Sequence, residues 1–439
     1  MSTPDSELTA TSADVPDGRV GMLDALRHRD FALLWSGQAL SSVGNQMFPI
    51  ILSIAVLERH SGATGLGLVL AIQGLAFAGG TIVAASAGDR WRRTRQMISA
   101  DAVRAVGVAA LAVAPERVPG AAFLSLVVIV GVAEGLFLPA YGAVAPRVLP
   151  ELALQGGNAL NALSTYAAMV AGPAIAGALV ATVGTGAAFW VDVLTFAFSL
   201  GTLLLIKETR GPAAAAHKVT DKRQRGLRDL AEGLRAIRDR PWIGVSICSA
   251  TILMTFAVAP AYLAAPIVAR QRLGGPAAYG LIFAVLGGGS ILGSVLGGRI
   301  RGHRRGTIAT CGLLTVFGAV GSLAILPLPL VAFFWAVAGA GVTIYQILWS
   351  TSLQRDVPDH LLGRVMALDR LGSQGLMPLG YAIAGIVVAA WGPRPLLLVG
   401  ACMVLLVAPL PLLVPGGTTF ATPPSRERPQ PGPSELSPK

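Results

Sequence analysis

The sequence predicts an all-α polytopic membrane protein whose twelve transmembrane helices form two pseudo-symmetric six-helix bundles. Of its 439 residues, 53% are hydrophobic and only 13% are charged, which is about half the charged share of a soluble domain. The apolar residues lie in runs of about 20, the length that crosses the hydrocarbon core of a bilayer. A helix rich in small residues that ends in an arginine cluster occurs twice, at 80–95 and 287–305. Such duplication is typical of membrane proteins that work at the seam between two copies.

The apolar segments divide the chain into five parts. We predict an N-terminal tail at 1–30, a first bundle at 31–206, a linker at 207–240, a second bundle at 241–414 and a disordered C-terminal tail at 415–439. An amphipathic helix is expected over 226–240 of the linker, because leucine and isoleucine recur there at helical spacing. The tail is rich in proline and serine and gives no reason to fold. The predicted spans are 31–57, 65–87, 97–114, 120–143, 157–181, 186–206, 241–265, 278–298, 307–327, 329–351, 364–390 and 394–414.

Identical residues recur between the two bundles at one constant offset of 208 positions. Shared identities at a fixed spacing favour duplication over chance. Because both copies begin on the same side, the pseudo-twofold axis is expected along the membrane normal. The matched residues are Arg147 with Arg355, Pro150 with Pro358, Leu160 with Leu368, Gly172 with Gly380, Gly177 with Gly385, and Gly184 with Gly392.

The net charge of +11 does not indicate nucleic-acid binding, because the basic residues lie in loops between hydrophobic runs, where they set topology. The loops 88–96, 207–240 and 299–306 hold most of the lysine and arginine residues. The loops on the other side hold only Arg59, Arg117, Arg270, Arg272 and Arg394. By the positive-inside rule, both termini are expected in the cytoplasm and the protein in the inner (plasma) membrane.

Several short motifs resemble those of the major facilitator superfamily over residues 22–414. The loop Gly88-Asp89-Arg90-Trp91-Arg92-Arg93 is similar to the motif between helices 2 and 3 of that superfamily, with Arg92 where a glycine usually stands. The run Gly172-Pro173-Ala174-Ile175-Ala176-Gly177 is similar to its antiporter motif, with Ala176 in place of the first glycine of the closing pair. The exporter branch that contains enterobactin and macrolide efflux proteins is matched further by Arg29-Asp30-Phe31, Leu34-Trp35, Gly37-Gln38, Leu40-Ser41, Val357-Pro358-Asp359 and Gly363-Arg364-Val365.

The resemblance implies that Asp89, Arg90 and Arg93 form a conformational latch. Carboxylate and guanidinium groups at helix ends can pair with each other and with helix dipoles, and so hold the two halves in one state. The alternative is that these arginines only fix topology.

The antiporter-type motif, Gly172, Pro173 and Gly177, is expected to bend helix 5 and to let a neighbouring helix approach closely. Proline removes a helical hydrogen bond, and small residues allow close backbone contact in membranes. A hinge or seal is one interpretation. Close packing without any role in gating is the other.

Ionisable residues inside the spans indicate function, because they are costly in hydrocarbon. The proton-coupling candidates are Glu134, Arg104, Asp101 and Asp369. Glu134 is the preferred coupling carboxylate, paired with Arg104, and a static buried ion pair is the alternative interpretation. Asp101 and Arg104 lie three residues apart, on one helical face. Asp192 follows Trp190 and is expected close to the outer surface, as a solvated or capped residue.

A polar stripe on helix 1 predicts a surface that faces a cavity rather than lipid. Simple hydrogen bonding between helices would explain the same pattern. The candidate cavity residues are Gln38, Ser42 and Asn45 on helix 1, Tyr262 on helix 7, Gln346 on helix 10 and Gln374 on helix 11.

No nucleotide-binding, metal-binding or hydrolase motif occurs, so we expect no enzyme activity, no metal and no cofactor. The expected partners are a small-molecule substrate and the lipid bilayer, with no nucleic acid, and the protein is expected to be monomeric. The resemblance implies a secondary active transporter that exports a small amphipathic compound, driven by the proton gradient through alternating access. An importer or uniporter of the same fold, or a non-transporting membrane scaffold or sensor, is the alternative.

Overall fold

The computed structural model describes residues 22–87, 92–113, 118–206, 232–300 and 302–422, and the secondary structure in these ranges is helical, without strands. Within these ranges, eleven helical stretches are long and apolar enough to cross a membrane. One of them, Leu154–Leu205, is 52 residues long and breaks at Gly184, whose φ of 84° and ψ of 170° are not helical. This stretch therefore crosses twice, and the described residues contain the twelve spans that the sequence predicts.

We number these spans α1 to α12. The first bundle, the N bundle, contains α1 (Arg29–Glu58), α2 (Gly62–Ala87), α3 (Arg93–Val113), α4 (Gly120–Val144), α5 (154–183) and α6 (185–205). The second, the C bundle, contains α7 (Pro241–Leu273), α8 (Pro276–Gly297), α9 (Arg305–Ile325), α10 (Leu328–Asp356), α11 (Asp359–Trp391) and α12 (Pro393–Val407). Short 3-10 turns lie at Met22–Arg27, Ala145–Val148, Glu151–Ala153 and Leu410–Leu413.

The two bundles repeat the same local geometry. Gly392, between α11 and α12, has a φ of 79° and a ψ of 173°, which matches Gly184 between α5 and α6. A positive φ of this size favours glycine, because a side chain would clash with the backbone. Gly172 of α5 packs against the backbone of α1, and its counterpart Gly380 of α11 packs against the backbone of α7.

Two seams of small residues join the bundles, one between α5 and α8 and one between α2 and α11. A Cβ placed on Gly280 of α8 would lie only 2.8 Å from the Cα of Gly177. A Cβ placed on Gly67 of α2 would lie 3.0 Å from the Cα of Gly385. Without side chains at these points the helix backbones touch, which is the usual route to tight packing inside membranes.

These seams lie towards one end of the molecule. We call the end that carries Met22–Arg27 and residues 410–422 the termini face, and the other end the opposite face. At the opposite face, Arg270 Nη1 donates to the carbonyl oxygen of Leu57 at 3.2 Å, and the Tyr279 hydroxyl contacts Ser53 Oγ at 3.4 Å. A cleft of about 540 Å³ remains there, between residues such as Ala63 and Ala389. The bundles are therefore closed on the opposite face.

Parts of both predicted tails are ordered and packed in the described residues. The predicted N-terminal tail ran to residue 30, but a 3-10 turn already begins at Met22 and α1 begins at Arg29. Ala25 of this turn is buried with Phe31 and Leu160. Burial of one small side chain gives the segment a packing partner that its polar composition did not predict.

The C-terminal prediction was wrong for residues 415–422, which pack onto the C bundle. Phe420 is 3% exposed and its ring lies 5.3 Å from that of Trp242 and 5.6 Å from that of Trp349. The backbone N–H of Thr422 donates to Asp356 Oδ1 at 3.0 Å. Aromatic burial and a capped carboxylate thus order a segment whose composition predicts disorder.

Of the predicted linker helix 226–240, residues 232–238 are helical, and residues 226–231 lie outside the described residues. It packs on α11, where Gly233 contacts Leu368 and Glu232 pairs with Arg364. Arg240 follows it and forms an ion pair with Asp356 at 3.3 Å. The linker is therefore fastened to the C bundle by the same carboxylate that holds the C-terminal segment.

Replacing Phe420 by Ala is expected to destabilise the protein by about 3 kcal/mol, because it empties an aromatic site between two tryptophan rings. Unfolding by SDS in mixed micelles, followed by tryptophan fluorescence, measures this change. The matched control is Thr418→Ala, since the Thr418 side chain is exposed two residues away. Equal stability of the two variants would show that the C-terminal segment contributes no packing energy.

Candidate functional site

The centre of the N bundle holds a buried ion pair between Asp101 and Arg104 of α3. Arg104 Nη1 lies 3.5 Å from Asp101 Oδ1, and the two side chains are 2% and 0% exposed. Because the residues lie three apart, both project from the same side of α3 into the bundle. Arg104 is eleven residues from the start of the helix, about 17 Å along its axis. The pair is therefore deep in the membrane.

Neighbouring helices add further hydrogen bonds to this pair. Ser199 Oγ of α6 donates to Asp101 Oδ2 at 2.6 Å. Arg104 Nη2 donates to Asn45 Oδ1 of α1. The guanidinium carbon of Arg104 lies 4.1 Å from the ring centroid of Phe196, within the range of a cation–π contact. Three helices thus hold one guanidinium in place.

Two further carboxyl groups lie within the electrostatic reach of Arg104. One is Glu134 of α4 and the other is Asp192 of α6. The ion pair of Arg104 among the described residues is with Asp101, whereas the sequence suggested Glu134 as its partner. We call Asp101, Arg104, Glu134 and Asp192 the charge cluster.

Asp192 corrects an expectation. It was expected near the surface, as a solvated or capped residue, but it is 0% exposed. It lies seven residues into α6, and α1 comes so close at Gly44 that a Cβ there would clash with its carboxyl group. The position of a residue in the sequence gives its depth along a helix, but it does not show how closely a neighbouring helix packs there. A glycine opposite a polar residue in the same bundle is a weak signal that could have pointed to it.

The polar stripe of α1 reaches the interior of the N bundle at Asn45. Gln38 Nε2 donates to Ser42 Oγ at 3.1 Å, and Asn45 accepts from Arg104. Asn45 is therefore part of the shell around the charge cluster. Gln38 Oε1 is buried and makes no hydrogen bond within the described residues.

The candidates in the C bundle lie apart from this cluster. Tyr262 belongs to an aromatic group, with ring centroids 5.1 Å from Phe283 and 6.0 Å from Trp335. Gln346 and Gln374 are exposed. This aromatic group lies under the closed opposite face, because Tyr279, which contacts Ser53, also packs edge-to-face against Phe283, with ring centroids 5.2 Å apart.

Asp369 of α11 is half-buried and lies nearer the termini face. Trp349 Nε1 donates to Asp369 Oδ2 at 3.2 Å. Trp349 is itself covered by Phe420, so the C-terminal segment supports the residue that orients Asp369. The neighbouring Arg370 is exposed.

The latch motif and the antiporter-type motif, both predicted from resemblance, lie in different parts of the molecule. Asp89 and Arg90 lie outside the described residues, and Arg93 begins α3, half-buried. In the antiporter-type motif, Gly172 contacts α1, while Gly177 and the carbonyl of Pro173 contact Gly280 of α8. This motif therefore lies in the seam between the bundles.

Comparisons with known proteins agree with this architecture. A family model described as Major Facilitator Superfamily matches residues 34–368 and, in a second match, residues 247–439. The multidrug efflux pump Tap of Mycobacterium tuberculosis (strain ATCC 25618 / H37Rv) is 26% identical over 370 residues, which cover 80% of this chain and 85% of that protein. The multidrug efflux pump Tap of Mycolicibacterium fortuitum is 27% identical over 403 residues, which cover 86% and 94%.

The fold also matches solved structures. The crystal structure of the nucleoside transporter NupG superposes with a TM-score of 0.66 at 13% identity, over 88% of this chain and 98% of that one. At this identity the likeness concerns the fold alone. The family model, in contrast, covers more than half of the sequence. The chain therefore belongs to the major facilitator superfamily and is a multi-pass membrane transporter.

Proposed function

We propose that this transporter exports small amphipathic compounds in exchange for protons. The observation that carries the proposal is the charge cluster, in which Asp101 pairs with Arg104 inside the N bundle and two further carboxyl groups lie within the electrostatic reach of the same arginine. Ionisable groups at this depth are costly and typically mark ion or proton pathways. Glu134, Arg104, Asp101 and, in the other bundle, Asp369 are the proposed coupling residues.

Export of drug-like compounds is favoured by the relatives named as multidrug efflux pumps. The aromatic group around Tyr262 offers flat apolar surfaces for such a substrate. Gln38, Ser42, Asn45, Gln346 and Gln374 are the proposed polar contributors to the cavity, with Asn45 shared with the charge cluster. An apolar site with a few polar groups suits an amphipathic compound.

Alternating access is supported by the closed opposite face. A transporter closed at one face offers its central site to the other. The basic loops favour an orientation with both termini in the cytoplasm. In that orientation the opposite face is the outer one, and the conformation closed there is the one in which an exporter collects its substrate. Asp89, Arg90 and Arg93 are proposed to latch the termini face in the other state. The proton gradient is the proposed energy source, and the proposed working unit is a monomer.

Replacing Glu134 by Gln is expected to abolish substrate-driven proton movement, because the amide cannot bind and release a proton. The measurement uses purified protein in vesicles with an enclosed pH dye, screened against cationic, neutral and anionic amphipathic compounds. The matched control is Asp239→Asn, an exposed carboxylate beside the linker helix. We expect this control to retain wild-type proton flux.

The same assay separates the alternatives. Flux that survives in Glu134→Gln would contradict the role of Glu134 and move coupling to Asp369 or Asp101. Transport down the substrate gradient without proton flux in the wild type would indicate a uniporter, and a reversed dependence on the proton gradient would indicate an importer. A scaffold or sensor would show no transport of any compound class.

A further inference from the structure

Asp192 is a second buried carboxyl group that the candidate coupling residues do not include. Its side chain is 0% exposed, and its buried Oδ2 atom has no hydrogen-bond partner within the described ranges. Buried polar atoms in folded proteins nearly always have a partner, so an orphan carboxyl oxygen needs an explanation. Its position, seven residues from the start of α6 at the opposite face, is about 10 Å deep along the helix axis.

The hydrogen-bond donors around Asp192 are too few for an ionised carboxylate. Thr195 Oγ1 lies 3.4 Å from Asp192 Oδ1, but its hydroxyl also lies 2.8 Å from the backbone carbonyl of Asp192. One hydroxyl hydrogen serves one of these acceptors well. Across the interface α1 presents Gly44, which has no side chain to donate.

Among the described residues, the charges facing Asp192 also leave it without a cation of its own, because it shares Arg104 with two other acids. On α3 they are Arg104 and Asp101, on α4 there is Glu134, and α1 contributes the neutral Asn45. Arg104 is the one cation in this cluster, and its Nη1 and Nη2 atoms are engaged by Asp101 and Asn45. With all three acids ionised, the cluster would carry an excess negative charge in a low-dielectric interior, which is strongly unfavourable.

In the described ranges, no group of three acidic, histidine or cysteine side chains is arranged to hold a metal ion. We propose that Asp192 holds a proton in the conformation closed on the opposite face, and that this proton is exchanged during transport. The step is simple: the O–H bond of the Asp192 carboxyl group breaks, and the proton leaves for water or for the Glu134 carboxylate. The exchange of this proton rests on the proposed proton coupling, whereas the presence of the proton on Asp192 does not.

The presence of the proton is tested by infrared spectroscopy at neutral pH on the reconstituted full chain. We expect the carbonyl band of a protonated carboxyl group in the wild type to lose intensity in Asp192→Asn. The control is Asp239→Asn, which removes an exposed carboxylate and is expected to leave the band unchanged. Asparagine has the shape of the neutral acid, so the fold should survive. A properly folded Asp192→Asn protein with an unaltered band would overturn the proposal, whatever the protein transports.

The exchange of the proton is tested by transport in the same vesicles. Asp192→Asn is expected to lose substrate-driven proton movement while it still exchanges labelled for unlabelled substrate, a reaction that needs no net proton transfer. Proton movement equal to that of the wild type would overturn the exchange, since the proton on Asp192 would then be static. If the wild type itself moves no protons with any compound, the proposed coupling fails and so does the exchange, but the infrared result still decides the presence.

Discussion

Replacing Arg104 by Met is expected to destabilise the protein by about 3–5 kcal/mol, the usual cost of removing one partner of a buried ion pair. The substitution leaves Asp101 inside the N bundle with Ser199 as its remaining donor. It also removes the donor to Asn45 and the cation that lies over Phe196. Transport should be lost as well, because the proposed coupling carboxyls share this single positive charge.

SDS-induced unfolding in mixed micelles measures the stability change, and the vesicle assay measures transport. The matched control is Arg370→Met, an exposed arginine of α11, for which a change within about 0.5 kcal/mol is expected. Adding Asp101→Asn to Arg104→Met should recover part of the lost stability, because the unpaired charge is then gone. A single variant as stable as the wild type would mean that the pair is hydrated or unformed in the membrane.

The fold was predictable because its causes are local. Runs of about 20 apolar residues identify spans by length alone, and the fixed offset between Gly184 and Gly392 shows that the bundles repeat. Both glycines have a positive φ and end one helix before the next begins. That Asp101 and Arg104 lie on one side of α3 was predictable for the same reason, since a spacing of three residues on a helix makes them face one way. Their ion pair was not predicted, because the sequence suggested Glu134 as the partner of Arg104.

The rest depends on contacts between distant segments. Asp192 is buried because α1 approaches it at Gly44, and the sequence around position 192 contains no trace of that approach. Phe420 lies in a segment of glycine and threonine that looks unstructured, yet two tryptophans more than 70 residues away enclose its ring. Helical spacing predicts which side of a helix is buried. It does not predict which side chain from a distant segment packs against that side.

Replacing Gly280 by Val is expected to shift the transporter away from the state closed on the opposite face. A Cβ at this position would lie 2.8 Å from the Cα of Gly177 and would also clash with the carbonyl oxygen of Pro173. Both contacts are with backbone atoms of α5, which cannot swing aside as a side chain can. Forcing extra atoms into a tight contact costs about 1–3 kcal/mol, which corresponds to a change of about 5- to 150-fold in a conformational equilibrium.

The chain offers a matched control on the same helix. Gly288 lies two turns further along α8, and a Cβ there would meet no heavy atom of the described residues within 4 Å. Gly288→Val therefore introduces the same side chain, with the same change in helix propensity, but without a clash in the seam. We expect this variant to keep the conformation and the transport rate of the wild type.

Spin labels at Ala63 and Ala389 report on the result, because these residues lie on different bundles and border the cleft at the opposite face. The labels require cysteines there, in a chain whose Cys248, Cys311 and Cys402 have been replaced. The distance between labels should lengthen in Gly280→Val and stay unchanged in Gly288→Val, and transport should fall only in the first. If the distance between the labels in folded Gly280→Val does not change, the seam between α5 and α8 can accommodate the valine without opening. The closure would then depend on the other seam, between α2 and α11, where Gly67 and Gly385 meet.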